Sequence, residues 1–436
     1  LSRGFECCEI YYNSGASFRA MIKNGRVEEY MSAESGGLSF RGLTGGRMGY
    51  SYTENVDLSV IPFLLDKAEK NAEIIESEEA ERLFAGSGSY MELPAYGEEA
   101  DFTADEKIEL AKRMERRALE IDPRVKNVIY CVIASGTGET YISNTLGLEL
   151  KHGDGYATAF AMVQAEENGQ MKTGGEFYLG RGLTGFIPEE LAEKAVGKAL
   201  SYLGASPVDS KKYPVLLCNL EAVNLFDCFA GVFFAERVQK GFSLLKGRLN
   251  EKIANECVTL RDDGVYGESL GNVPFDSEGV ATKNKAVIED GVLKTYLYNL
   301  KSAEKDGVES TGNGFKPSFR SPVGTACTNF YIAPSGDRLE EMFKKTGDGL
   351  YITELAGLHS GANAVSGNFS FSADGFLIEG GVKTRPVEQI TVAGNFFELL
   401  KDIIAVGSDL RFDSPGGGGC FGMPSILIRE LSVAGV

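Results

Sequence analysis

Four two-residue turns constrain this chain more than any other feature. Asn24-Gly25, Asn168-Gly169, Asp290-Gly291 and Gly380-Gly381 each stand between runs with strand character. Asn, Asp and Gly accept positive φ at low cost, so such pairs predict tight turns between antiparallel strands. They set residues 21–23 against 26–28, 286–289 against 292–296, and 376–379 against 382–384. Residues 5–50 then read as short strands, and 127–179 as a meander broken at 135–138, 153–155 and Asn168-Gly169.

Helical periodicity fills the gaps. A helix is expected over 58–82, starting near Asp57, with Ile61, Leu64, Leu65, Ala68, Ala72 and Ile75 as its apolar stripe. A loop follows at 85–101. Thr103 and Glu106 have capping-box spacing, and Ile108, Ala111, Met114, Ala118 and Ile121 continue at helical intervals until Asp122-Pro123. A third helix opens at Pro188, runs through Leu191, Ala195, Ala199 and Leu203, and closes at Gly204. Residues 205–212 read as a linker. Beyond it, a strand at 213–218 leads into an apolar helix over about 220–238, whose Phe226, Phe229, Phe233 and Phe234 predict burial. A late helix is expected over about 396–405. The expected class is α+β, in two parts: 1–205 with antiparallel sheets and helices, and 206–436, β-rich around a buried helix. Arg41–Gly45 recurs as Arg181–Gly185, which raises an internal duplication within the first part as an expectation.

Composition narrows the functional classes. With 43% hydrophobic residues the chain can fill packed cores. Its net charge of −18 argues against duplex DNA as a direct partner. No apolar run approaches the roughly 20 residues of a membrane span, and LSRGFECCEI does not read as a signal peptide, so a cytoplasmic protein is expected. The eight cysteines, none in a C-x-x-C pair, read as reduced and mostly buried. Only two histidines occur, His152 and His359, which excludes a histidine-rich metal cluster.

Candidate chemistry is sparse. Gly267-Glu268-Ser269-Leu270-Gly271 matches the nucleophile-elbow string, but its flanks lack the strand and helix that the elbow needs, so it reads as a loop. Gly416–Gly419 and Cys420 read as a turn with one thiol, short of the three or four ligands that zinc takes. His359 and Ser360 are adjacent in a segment expected to be extended, where they point opposite ways; this favours a structural or binding role. His152 reads as a turn residue, and Asp262-Asp263 and Glu28-Glu29 as solvated acid pairs. No catalytic constellation emerges.

The C-terminal half nevertheless carries distinctive strings: Arg320-Ser321-Pro322, Thr328-Asn329-Phe330-Tyr331-Ile332, GLHSGANAVSGNFSFSADGFLIEGG from Gly357, RPVEQITVAGNF from Arg385 and AVGSDL from Ala405. With Arg261-Asp262-Asp263-Gly264 and Phe275-Asp276-Ser277-Glu278-Gly279, and with 42–49 near the start, these resemble the TldD/PmbA family, also described as modulators of DNA gyrase. The resemblance covers nearly the whole chain. One branch, TldD, carries a His-Glu-x-x-x-His zinc motif on a helix; the other, PmbA or TldE, lacks it and pairs with the first. The motif's positions fall here near Phe226, Asp227 and Gly231, and no histidine lies between His152 and His359, so the resemblance points to the PmbA/TldE branch.

That resemblance implies a non-metal subunit of a cytosolic metallopeptidase complex acting on unfolded peptides or small proteins, inactive alone. Its partner would be a TldD-like subunit holding the zinc, where a metal-activated water attacks the peptide carbonyl. This chain would hold no metal and no catalytic residue. His359, Ser360, Asn363, Ser366 and Asn368 are the expected peptide-facing residues. Pseudo-symmetric surfaces would permit a homodimer in isolation. The alternative is a non-proteolytic binding protein acting on gyrase or on toxin–antitoxin proteins. A third reading, an independent hydrolase using Cys420 or Ser269, ranks last because neither has a local base.

Overall fold

The computed structural model describes residues 4–75, 81–93, 102–267, 269–413, 416 and 418–436. Helix takes about 23% and strand about 44% of the chain in mixed order, so the class is α+β.

The first lobe is one antiparallel sheet under three helices. Its elements are β1 (Cys7–Lys23), β2 (Arg26–Thr44), β3 (Arg47–Thr53), α1 (Ile61–Ile74), α2 (Ala104–Ile121), β4 (Val125–Asn144), β5 (Glu149–Glu167), β6 (Gln170–Gly180) and α3 (Pro188–Ser201). The sheet order is β3-β2-β1-β4-β5-β6, two three-stranded meanders back to back. Helix α1 rests on β3 and α3 on β6, the two outer strands. Both contacts are made at glycine: a Cβ on Gly49 would lie 1.9 Å from the Ala68 carbonyl oxygen, and one on Gly174 would lie 2.2 Å from the Ala199 nitrogen. The repeated pentapeptides do not occupy equivalent places in this arrangement. Arg41–Thr44 lies within β2, whereas 181–185 follows β6.

The turn signals at Asn24-Gly25 and Asn168-Gly169 are turns, with positive φ at all four residues. The other expected breaks are not. Residues 135–138 and 153–155 lie inside β4 and β5 and pair with one another, Thr137 with Gly155 and Gly138 with Asp154. The expected short strands of 5–50 are instead strands of 17, 19 and 7 residues. Small residues here serve close approach rather than reversal: a Cβ on Gly15 of β1 would sit 2.5 Å from the Thr137 carbonyl oxygen.

Helix α2 begins as its capping box requires. The Glu106 amide donates to Thr103 Oγ1, and the Glu106 carboxylate accepts from the Thr103 amide at 2.7 Å. Helix α1 is shorter than expected. A 3₁₀ turn capped by Asp57 covers 58–60, Pro62 occupies the first turn, and Ile75 is extended. Of the remaining expectation, 76–80 lies outside the described residues and 81–82 are not helical; the expected loop at 85–101 is irregular over 85–93, and 94–101 lies outside the described residues.

The second lobe contains β7 (Lys211–Leu217), α4 (Asn219–Phe229), α5 (Ala235–Gln239), β8 (Leu260–Asp263), β9 (Lys285–Glu289), β10 (Val292–Leu293), α6 (Leu300–Asp306), β11 (Gly314–Phe315), β12 (Gly324–Thr325), β13 (Asn329–Ile332), α7 (Leu339–Thr346), β14 (Gly349–Ala356), α8 (Leu358–Gly361), β15 (Asn368–Glu379), β16 (Val382–Asn395), α9 (Phe396–Asp402), β17 (Ile403–Val406), β18 (Arg411–Phe412), β19 (Cys420–Met423) and β20 (Ile426–Ala434). One mixed sheet runs β16-β15-β14-β7-β20-β17, and pairing of β16 with β20 closes five of its strands on themselves. A second runs β10-β9-β8-β13-β19-β18. Helix α4 packs on β14 of the first and β19 of the second, within the largest apolar core.

Two helices end earlier than their periodicity predicts. The stretch expected as one helix over 220–238 breaks after Phe229 into a 3₁₀ turn at 230–233, an extended Phe234, and α5. Gly231 weakens helix there, and Leu297 offers the alternative: its amide donates to the Phe233 carbonyl, and its carbonyl accepts from the Ala235 amide, both at 2.9 Å. The late helix stops at Asp402 because β-branched Ile403, Ile404 and Val406 belong to β17, paired with β20.

Tyr50 of β3 donates its hydroxyl to the Phe319 and Ser321 carbonyls across the lobe boundary, and the Phe319 ring fills the space above Gly37. Among the described residues, no helix is long and apolar enough to cross a membrane. The two kinds of glycine separate under substitution. Gly174→Ala is expected to cost about 1–3 kcal/mol because α3 must lift off β6. Gly197→Ala, on the open face of α3, is expected to gain roughly 0.5–1 kcal/mol. Urea unfolding of the two variants checks both signs.

Candidate functional site

Helix α4 is held by an aromatic stack. The Phe229 ring lies parallel to Phe396 at 4.5 Å, while Phe226 and Phe233 meet the same ring edge-on at 5.3 and 6.4 Å. All four rings are fully buried. Such a cluster combines large apolar burial with favourable ring geometry. Asp227 is exposed on the opposite side, with Oδ1 near Gly418. Gly231 lies in the 3₁₀ turn, where the space a side chain would need begins 3.0 Å from Arg237 Cδ. Of the three positions expected to match the metal motif, one is closed by a ring without a lone pair and one has no side chain. Only Asp227 offers an oxygen, so these positions do not fit a metal ion. Among the described residues, no three His, Cys, Asp or Glu side chains converge elsewhere in a metal-holding group.

Cys420 and Ser269 meet in one corner. Their Sγ and Oγ atoms are 3.6 Å apart, Ser269 donates to Asn329 Oδ1 at 2.6 Å, and Cys420 donates to the Asp413 carbonyl at 3.4 Å. Burial pushes the Cys420 thiol up to about 11, so it stays protonated at neutral pH. Ser269 hydrogen-bonds to an amide oxygen rather than a base, which leaves it unactivated. Of the strings around these residues, Glu268 and Gly417 lie outside the described residues.

The expected solvated pair Asp262-Asp263 is instead buried in β8. Asp262 accepts from the Thr328 amide and hydroxyl and from Asn313, and pairs with Lys285 at 3.2 Å. Its partners come from distant segments, which local sequence does not display. Glu28 and Glu29 are exposed on β2.

The segment 357–368 is not extended at its start. Gly357 (φ 83°) opens the one-turn helix α8, beside α4. Leu358, Ala362 and Ala364 pack onto the core, which leaves His359 and Ser360 exposed. Asn363, Ser366 and Asn368 are engaged in a turn. Asn363 Oδ1 accepts from the amides of Val365 and Ser366, Ser366 Oγ accepts from the Asn368 amide, and Asn368 Oδ1 accepts from Asn395. Of the five predicted residues, His359 and Ser360 are exposed, and Asn363, Ser366 and Asn368 hold the shape of the turn.

His152 is not in a turn. It pairs with Thr140 near the start of β5, before β6 joins at Ala157; its ring lies edge-on to Phe275, and burial lowers its pKa. It lines a cleft of about 1220 Å³ shared with Tyr12, Gly15, Glu139, Asp154 and Arg320. Thr137, Gly138 and Gly153, in stretches expected to be turns, also line it.

Glu221, in the first turn of α4, is 8% exposed. Burial, reinforced by the charge of Glu354, raises its carboxyl to about 7, against the Asn224 hydrogen bond that lowers it. A carboxyl raised in the folded state stabilises fully below its unfolded value, roughly 4.3, and loses that contribution as pH climbs towards 7. Glu221→Gln is therefore expected to match the parent near pH 4.5 and exceed it by on the order of 1–3 kcal/mol at pH 8. Phe226→His is expected to cost about 3 kcal/mol, through the lost ring contacts and a buried imidazole. Chemical denaturation at both pH values measures each.

Family models described as PmbA/TldA metallopeptidase domain 1, central domain and C-terminal domain match residues 8–72, 97–203 and 210–435. A protein of Escherichia coli O157:H7 named metalloprotease PmbA is 32% identical, over 77% of this chain and 71% of its own. A Thermotoga maritima structure, described as a candidate modulator of a DNA gyrase, is 33% identical with a TM-score of 0.90, covering 98% of this chain and 96% of that one. TldE from Thermococcus kodakarensis shares the fold at a TM-score of 0.90 and 24% identity, covering 99% and 97%. In sequence and in backbone alike, this chain belongs to the PmbA/TldD metallopeptidase family.

Proposed function

We propose that this chain is the subunit that contributes no metal to a two-subunit, cytosolic PmbA/TldD-type peptidase. Its partner is a TldD-like chain that carries the zinc, and the pair cleaves unfolded peptides or small proteins. The observation behind this reading is the Phe226–Phe229–Phe396 stack where the resemblance locates the metal motif. A ring stack cannot be traded for ligands without opening the core. This chain's role is then to close the substrate cavity and hold the peptide in extended form.

Two surfaces support that role. Among the described residues, 26–37 of β2 pair with β1 alone, since β3 joins β2 only from Leu38 onward. The free edge carries exposed Val27, Tyr30 and Met31 and offers unpaired main-chain groups to a partner strand or a peptide. The exposed turn at His359 and Ser360, beside α4, is the second.

The reading is tested by cleavage of an unfolded peptide with this chain alone, with a TldD-like partner, and with both. Activity is expected from the mixture and not from this chain alone. A Tyr30→Asp variant is expected to weaken co-purification with the partner by about tenfold, roughly 1.4 kcal/mol. Cleavage by the isolated chain would overturn the proposal. Capture of gyrase without any effect on cleavage by a TldD-like chain would favour the regulatory reading instead.

A further inference from the structure

Where the lobes meet, a cavity of about 580 Å³ is lined by Arg41, Tyr50, Glu278, Leu300 and Lys316. Its inner end holds two deeply buried cations, Arg41 at 6% and Lys316 at 8% exposure. Burying charge is costly unless each group is paired and hydrogen-bonded.

Most of the acceptors here are already engaged. Glu9 takes the Arg41 Nε donor at 2.6 Å, and Glu278 takes the Leu300 amide at 2.8 Å and sits 3.9 Å from Arg41 Nη1. Asp276 accepts three main-chain amides, from Glu278, Val280 and Gly314. Glu236 accepts from the Asn299 side-chain Nδ2.

The donors are not used up. Arg41 Nη2 is buried without a hydrogen-bond partner among the described residues. Lys316 Nζ has three N–H bonds and, among the described residues, one hydrogen bond, to Ser39 Oγ at 3.2 Å. It otherwise rests over the rings of Tyr11 and Tyr50, at 4.6 and 5.3 Å. Surplus donors at the end of a cavity call for an acceptor-rich, negatively charged ligand.

We propose that the interlobe cavity is a carboxylate-binding site, in which Arg41 and Lys316 together hold the two oxygens. A small dicarboxylate and the C-terminus of a peptide present the same chemistry. The site stands whether or not the complex is a peptidase.

Lys316 is faced by Arg41, Glu9, Glu278, Tyr11 and Tyr50. Burial, then the Arg41 charge, lowers it to about 7, while Glu9 and Glu278 act in the opposite sense. Carboxylate binding selects its protonated form, so affinity falls as pH rises. A group titrating near 7 gives a roughly twentyfold loss between pH 6.5 and 8.5.

The test is calorimetric titration of the full chain with succinate, trialanine and trialanine amide at both pH values. Binding of succinate, or of trialanine but not its amide, weakened at pH 8.5, is the expected result; which probe binds identifies the source of the carboxylate. Equal binding of acid and amide, no pH dependence, or no binding at millimolar probe overturns the proposal. Pyridoxal 5′-phosphate with borohydride gives a readout that needs no variant. Lys316 is expected to label ahead of the surface lysines and to be protected by succinate; labelling indifferent to succinate contradicts the site.

Discussion

One phenylalanine ring organises the second lobe. Phe396 opens α9 directly after β16, and it receives Phe226, Phe229 and Phe233 from the segment around α4. Helix α4 lies between the two mixed sheets, so this stack fixes the distance between them and the orientation of everything α4 carries. The consequences reach the surface. Asp227 points outward, Glu221 is held in a dry first turn, and α8 settles beside α4 with His359 above it. Apolar packing of this kind resists replacement by polar ligands, since any polar group placed there needs partners that the core lacks.

Much of the fold was legible in the sequence, because its signals were local. The capping box at Thr103 and Glu106, Pro188 at the start of α3, and the Asn-Gly, Asp-Gly and Gly-Gly turns each act within a few residues. What failed did so for tertiary reasons. The 220–238 helix has helical periodicity, yet Leu297 captures its main chain at 233–235. Residues 403–406 continue an amphipathic pattern, yet β20 supplies a strand partner. Glycine carried two meanings, and composition did not separate them: Gly25 turns the chain, whereas Gly15, Gly49 and Gly174 admit another backbone.

The candidate site was legible only in outline. The histidine scarcity and the run of phenylalanines near 226 were visible without structure. Four polar groups were not. Asp262 was read as solvated but closes a buried network with Asn313, Thr328 and Lys285. His152 has the sequence context of a turn but lines a cleft from the start of β5. Arg41 was noticed only as part of a repeated string, and Glu278 only within a family motif; nothing in the sequence announced that they meet Glu9 and Lys316 between the lobes. Long-range polar clusters lack periodicity, so they stay hidden until the strands are laid side by side.

On the proposed reading, this chain is built without the means to hold the family's metal. Metal analysis of the protein purified alone, and again after assembly with a TldD-like partner, tests it most directly. Well under one equivalent of zinc in the isolated chain, rising to about one per pair on assembly, is the expected result. Stoichiometric zinc in the isolated chain, lost on mutation of residues around α4, would contradict it.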